Sequence, residues 1–255
     1  MITALTRAVS PAIGQCELTH LARQPINVAL AQAQHHAYEA ALHSLGAQVQ
    51  QLPPTPHLPD AVFVEDTAVV LDEVAIITRP GAISRRPETA SVAAALAAYR
   101  PLIHLQAPAT LDGGDVLRMG RRLYIGSSGR SNQAAIEQLR AALAPYGYHV
   151  VGVPVSGCLH LKSAVTLAAP DTLLINRQWV DSHLFGPLRL VPVAEAEPYA
   201  GNGLLLGETL IYPAGYPQTA QRLAAAGIPL QLVEVTELVK AEGAVTCCSL
   251  LVTGP

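Results

Sequence analysis

The sequence predicts a single α/β domain over residues 1–255, built as a pseudo-symmetric, five-bladed α/β propeller of strand–strand–helix–strand units. Three observations predict it. Five segments share one design, a polar lead residue, an apolar run, a tight polar turn and a second apolar run. Their lead residues, Asp66, Asp112, His160, Asn202 and Cys247, stand 42 to 48 residues apart. Stretches with helical periodicity, each followed by a short β-rich run, fill the intervals. No such unit buries its own apolar face, so closing five of them into a ring is the economical solution.

In chain order, AQAQHHAYEAALHSLG (31–46) reads as a helix and AQVQQL (47–52) as a strand. Both precede the first lead residue, so the first unit is permuted and the ring must close by pairing the C-terminal hairpin with the N-terminal segment. PPTPHLP (53–59) reads as a loop because four of its residues are proline. The Asp66 unit is followed by a helix over 88–99 and the strand PLIHL. The Asp112 unit is followed by a helix over 131–147 and YHVVGVPV. After the Asn202 unit come a helix over 217–227 and PLQLVEV; Gly147 and Gly227 stop the last two helices.

Composition narrows the function. Half the residues are hydrophobic and 14% are charged, the profile of a folded domain rather than a disordered chain. The net charge of −3, with Lys162 and Lys240 the only lysines, supplies no basic stripe for nucleic acid or anionic lipid, so a small-molecule substrate is expected. No apolar run approaches membrane-spanning length and no signal peptide is evident, which predicts a cytoplasmic protein without membrane attachment. Four cysteines, Cys16, Cys158, Cys247 and Cys248, are too few and too unevenly placed for a disulfide framework and read as free thiols. A homodimer is compatible with the sequence, which leaves the oligomeric state open.

If the lead residues converge, the centre holds a thiol, an imidazole and two carboxylates, a set sufficient for nucleophilic catalysis. A guanidinium suits it: two carboxylates grip its planar fork of N–H donors, and its positive charge favours a thiolate beside it. His160 would then protonate the departing amine and later deprotonate water. Each residue also has a plainer reading. Cys247 in an apolar strand is a small hydrophobe as readily as a nucleophile, His160 is one of nine histidines, and LDGGD around Asp112 reads equally well as a turn. Glu65–Asp66 could simply end a strand, and Arg85 and Arg130 could be solvated loop charges; in a closed ring those arginines approach one mouth, suited to a carboxylate.

The stretches LTHLARQPINV, LPDAVFVEDTAVV, ITRPGAISRRPE, LDGGDVL, GRSNQ, LHLKSA and EGAVTCCS, in this order and spacing, resemble the dimethylarginine dimethylaminohydrolase family of the guanidine-modifying pentein superfamily. The resemblance spans nearly the whole chain. It implies hydrolysis of Nω-methylated arginine to citrulline and an alkylamine through a covalent S-alkylthiouronium intermediate, without metal or organic cofactor. It makes Cys247 the nucleophile, His160 the proton donor and Asp112 their catalytic partner. It places Asp66 and Asp112 at the guanidinium and histidine with Glu65 beside Asp66 in the substrate site, Arg85 and Arg130 on the substrate carboxylate, Leu18 and Asp60 on the α-amino group, and the Ala241 carbonyl against substrate. Residues Gly14 to Pro25 correspond to a mobile lid with Gly14 as hinge. Position 241, often Val or Ile in relatives, is Ala here, which leaves the substrate preference open.

Other classes stay open alongside. An arginine deiminase or another guanidine hydrolase of the superfamily is the nearest alternative, although deiminases usually add a helical region. A non-catalytic ribosome-binding relative lacks the nucleophile. A zinc module could draw on Cys247, Cys248 and His160, but adjacent cysteines chelate poorly.

Overall fold

The computed structural model describes residues 1–254 and contains five three-stranded sheets of one pattern. In each, two strands pair antiparallel and the third joins the second in parallel. The Asp66 unit contributes Ala68–Val70, Ala75–Ile77 and Leu102–His104. The Asp112 unit contributes Val116–Met119, Arg122–Ser127 and His149–Pro154. Val165–Ala169, Thr172–Ile175 and Arg189–Pro192 follow His160, and Leu204–Leu206, Thr209–Pro213 and Leu230–Val233 follow Asn202. The fifth sheet joins the two ends of the chain. Leu250–Thr253 pairs antiparallel with Ile2–Thr6, which pairs in parallel with Ala47–Gln51. Leu250–Thr253 also packs beside Ala68–Val70, so the ring closes as the permuted first unit requires.

Helices cross between the second and third strands. Val28–Ser44 starts where the Asn27 side chain accepts from the Leu30 N–H at 3.1 Å. Gln133–Leu143 starts likewise, with Asn132 accepting from Ala135 N–H. Its buried face, Ala135, Ile136, Leu139 and Leu143, packs on the second sheet with Leu123, Ile125 and Val150. Burying one such leucine contributes roughly 2 kcal/mol. Gly147 and Gly227 both take left-handed φ, +74° and +82°, immediately after their helical segments.

One unit departs from the pattern. Between Thr172–Ile175 and Arg189–Pro192 there is no α-helix, only the 3-10 turn Ser182–Phe185, closed by Asp181 accepting from His183 N–H. Phe185 covers this sheet instead, its ring centroid 4.9 Å from that of Tyr124. The segment 53–59 is irregular, as its prolines predict. Among the described residues no helix is long and apolar enough to cross a membrane.

Candidate active site

Each lead residue sits at the same place in its unit, just before the first strand. Asp66 lies in the 3-10 turn Val64–Thr67, Asp112 precedes the turn Gly113–Asp115, His160 caps the short helix Leu161–Ala164, and Cys247 is central in the turn Thr246–Cys248. The ring therefore points them at its axis. Atoms of Asp66, Asp112 and His160 lie within 4.8 Å of one another. His160 Nε2 is 3.1 Å from Asp112 Oδ2, and its Nδ1 is 3.8 Å from Asp66 Oδ1. Cys247 and His160 line the same pocket, together with Asp60, Asp66, Arg85, Arg130 and Ala241.

The imidazole is buried, which by itself lowers its pKa. Asp66, the hydrogen bond with Asp112, and Asp115 override this and raise it to about 9. Reciprocally, burial works against ionisation of Asp66, but His160 and Arg85 hold that carboxyl down to about 2. His160 is therefore an imidazolium at neutral pH. The Cys247 thiol has the opposite bias: burial, then the negative charges of Glu65 and Asp66, push its pKa well up. The resting pocket thus holds an acid and a protonated thiol.

The glycines of LDGGD have a steric reason. A Cβ on Gly114 would sit 2.5 Å from His160 Nδ1 and 2.8 Å from Asp66 Oδ1, and the Gly114 N–H donates to that Asp66 oxygen at 2.9 Å. Only a bare backbone fits. Asp115, at the end of the same motif, accepts from Leu161 N–H at 2.9 Å and from the Ser128 and Ser131 hydroxyls, so it holds the turn that follows His160.

Arg85 lines the pocket, but its guanidinium is already engaged. It donates to Asp66 Oδ2 at 2.6 Å, bidentately to Glu88, and to the Asp60 and Phe63 carbonyls. Arg130 stands nearer the mouth, with a terminal nitrogen 3.7 Å from Asp112 Oδ2 and the other donating to Thr19 Oγ1 at 3.1 Å. The Asp60 carboxylate accepts from Glu17 N–H, adjacent to Leu18, and burial raises its pKa. Leu18 is half-buried against the core cluster that holds Ala241 and Cys247. Gly14 lies in the 3-10 turn Ile13–Gln15, where its carbonyl accepts from Arg23 at 2.6 Å. With residues 14–25 seated in this way, the pocket encloses only about 10 Å³, the space of roughly one water.

Glu65 points elsewhere. Its carboxylate accepts from Lys162 Nζ on one oxygen and from Thr246 Oγ1 at 2.8 Å on the other, and it lines a separate cavity with Gly113, Lys162 and Thr246. Asn202 completes this layer: it accepts from Thr246 N–H and donates to Thr246 Oγ1 and the Lys162 carbonyl. The residue before Cys247 is thereby fixed from two sides. Glu88, Asp115, Lys162, Thr246 and Glu242 lie inside the sequence motifs but carried no assigned role there. Their partners lie up to 223 residues away, and motif position does not reveal them.

Among the described residues, the group able to converge on a metal is Asp66, Asp112 and His160. Both ring nitrogens of His160 already face carboxylates, an arrangement suited to a shared proton. Cys248 is not part of it; it packs in the core and its thiol meets the Ala244 carbonyl.

Known proteins share this fold. Residues 18–178 match the family model described as N,N dimethylarginine dimethylhydrolase, eukaryotic. The chain is 44% identical over 97% of its length, and 95% of the relative's, to the N(G),N(G)-dimethylarginine dimethylaminohydrolase of Streptomyces coelicolor. It superposes on the Pseudomonas aeruginosa enzyme, in a cysteine-to-serine variant complexed with citrulline, with a TM-score of 0.93 and 33% identity over 98% of this chain and 99% of that one. A histidine-to-glycine dimethylarginine dimethylaminohydrolase carrying an S-methyl-L-thiocitrulline adduct gives 0.92 and 32%, over 98% of this chain and 100% of that one. The chain belongs to the dimethylarginine dimethylaminohydrolase family.

Proposed function

We propose that the protein hydrolyses Nω-methylated L-arginine to L-citrulline and methylamine or dimethylamine, with Cys247 as nucleophile and His160 as acid and base. The observation that carries this is the imidazolium of His160, held between Asp66 and Asp112 in the same pocket as the Cys247 thiol. The family membership and the citrulline and thiocitrulline bound by relatives support it.

Burial and two acids keep Cys247 protonated. A guanidinium seated against Asp66 reverses that field, so the thiol ionises only beside its target. The thiolate adds to the guanidinium carbon and forms a C–S bond. His160 gives its proton to the alkylated nitrogen, the C–N bond breaks, and the amine leaves an S-alkylthiouronium. The now neutral His160 takes a proton from an incoming water, whose oxygen adds to the same carbon. The C–S bond then breaks, releasing citrulline and restoring the thiol. The thiol's proton passes to solvent when substrate binds and is taken up by the released amine, while the water gives one proton to His160 and its second to the departing sulfur.

Asp112 keeps the imidazole oriented, and Arg130, Arg85, Asp60, Leu18 and Ala241 bind the amino-acid portion. Arg85 reaches a substrate carboxylate only by yielding part of its present hydrogen bonding. Glu65 acts from behind Cys247, through Thr246. The departing amine has room nearby: a mainly apolar cavity of about 150 Å³ shares Leu159, Glu242 and Gly243 with the pocket. Four buried free thiols suit the reducing cytoplasm.

Turnover of dimethylarginine, arginine and agmatine, compared by amine and ureido release, tests the reading. Release of dimethylamine at least tenfold faster than ammonia release from arginine is expected. A faster reaction with arginine would make the protein a deiminase.

A further inference from the structure

Glu242 is the one residue other than glycine, among those described, with a left-handed backbone, φ +56°. Side chains rarely adopt that conformation, and it persists only where the surroundings impose it. Its carboxylate accepts three consecutive lid N–H groups: Thr19 at 2.9 Å on one oxygen, and His20 and Leu21 at 2.5 Å each on the other. Successive amides converging on one anion form a nest, and charge-assisted bonds of this kind are stronger than neutral ones.

Folding does not require these contacts. Thr19 and His20 are exposed, so water would satisfy their N–H groups at little cost. The contacts instead fix where the lid lies. Leu18, the residue before the nest, sits beside Glu17, whose N–H bonds Asp60, while Ala241 and Gly243 flank Glu242 in the pocket wall.

We propose that Glu242 is a positioning residue that latches the lid and so sets the Leu18 carbonyl against the substrate α-amino group, making the enzyme selective for α-amino acids. This rests on the function proposed above. The left-handed turn is what allows one residue to serve the lid with its side chain while its neighbours line the pocket.

The test uses the full chain and the variants Glu242→Gln and Glu242→Ala. In the ligand-free protein, amide exchange at Thr19, His20 and Leu21 is expected to quicken at least tenfold in Glu242→Ala, with a smaller change in Glu242→Gln. With Nω-methyl-L-arginine, KM rises at least tenfold in Glu242→Ala while kcat stays within threefold. With the des-amino analogue 5-(N′-methylguanidino)pentanoate, KM barely moves, so discrimination between the two shrinks. Inactivation by 2-chloroacetamidine, which is too small to reach the lid, stays within twofold of wild type. Unchanged exchange rates, or equal KM increases for both substrates, would overturn the latch, as would a parallel loss of chloroacetamidine reactivity, the mark of a collapsed pocket. If the wild-type chain ignores Nω-methylarginine, the proposed function fails, and the exchange rates alone decide whether Glu242 holds the lid.

Discussion

The Nε2 atom of His160 stands 3.1 Å from Oδ2 of Asp112, with both side chains shut away from solvent. Asp66 adds a second negative charge at the opposite edge of the imidazole. A histidine so placed keeps its proton well into the alkaline range, about pH 9.

The first prediction concerns pH. As the acid for the departing amine, His160 must be protonated, so kcat/KM is expected to fall above about pH 9. In Asp66→Asn one of the raising charges is gone, and the alkaline limb should move to lower pH. Stability follows the same group. Because the folded pKa exceeds the ordinary 6.5, its contribution is complete below about pH 6.5 and disappears as the pH climbs through 9. At about 1.4 kcal/mol per pKa unit, the loss amounts to a few kcal/mol. Denaturant unfolding at pH 6.5 and pH 9.5 checks it; a flat wild-type profile would contradict the buried imidazolium.

Gly114→Ala should damage chemistry more than folding. The new methyl must displace His160 or Asp66, whose atoms lie 2.5 and 2.8 Å from its position. We expect kcat to fall at least a hundredfold, since small displacements of a catalytic group are costly. Destabilisation should be about 1–3 kcal/mol. Steady-state kinetics beside thermal unfolding separates the two effects.

Glu88→Gln removes one arm of the buried cluster around Arg85. Both side chains are almost fully enclosed, and Glu88 takes two of the guanidinium's donors. Breaking a buried pair on one side costs about 3–5 kcal/mol. Arg85 should then turn more fully toward Asp66, raising the KM for substrates that bear a carboxylate. Chemical denaturation and KM measurements would register both.

Thiol reactivity offers a direct check on Cys247. Because burial and two acids hold its pKa high, neutral iodoacetamide at pH 7 should modify it slowly. A cationic haloacetamidine supplies the missing positive charge and should react at least tenfold faster, with peptide mass spectrometry placing the label at 247. The rate should drop in His160→Ala. Labelling confined to Cys16, Cys158 or Cys248 would contradict the assignment.

The lead residues could be read from the sequence because each opens a strand pair, and the repeat period transmits that position around the ring. The helices over 88–99, 131–147 and 217–227 were legible from periodicity, although Ile83–Glu88 winds first as a 3-10 segment. The His160 unit broke the rule: segment 176–188 carries Gly186 and Pro187 late, and aromatic side chains rather than a helix shield its sheet. The site was visible as a set of residue types, but its wiring was not. That Arg85 is gripped by Asp66 and Glu88, or that Glu65 turns toward Lys162, depends on side-chain directions that no spacing encodes.

Four of the five hairpins are tethered by a short turn, whereas the one beneath Cys247 pairs Leu250 with Leu5 across nearly the entire chain. Joining such distant segments carries the largest loop-closure entropy of any strand pair in the molecule. The nucleophile thus rests on the one seam that has no covalent stitch, and its seat should be among the last to assemble and the first to loosen on warming. A peptide linker bridging residues 254 and 1, with new termini opened in the loop at 53–59, would convert that seam into an ordinary hairpin and lend the thiol a sturdier floor.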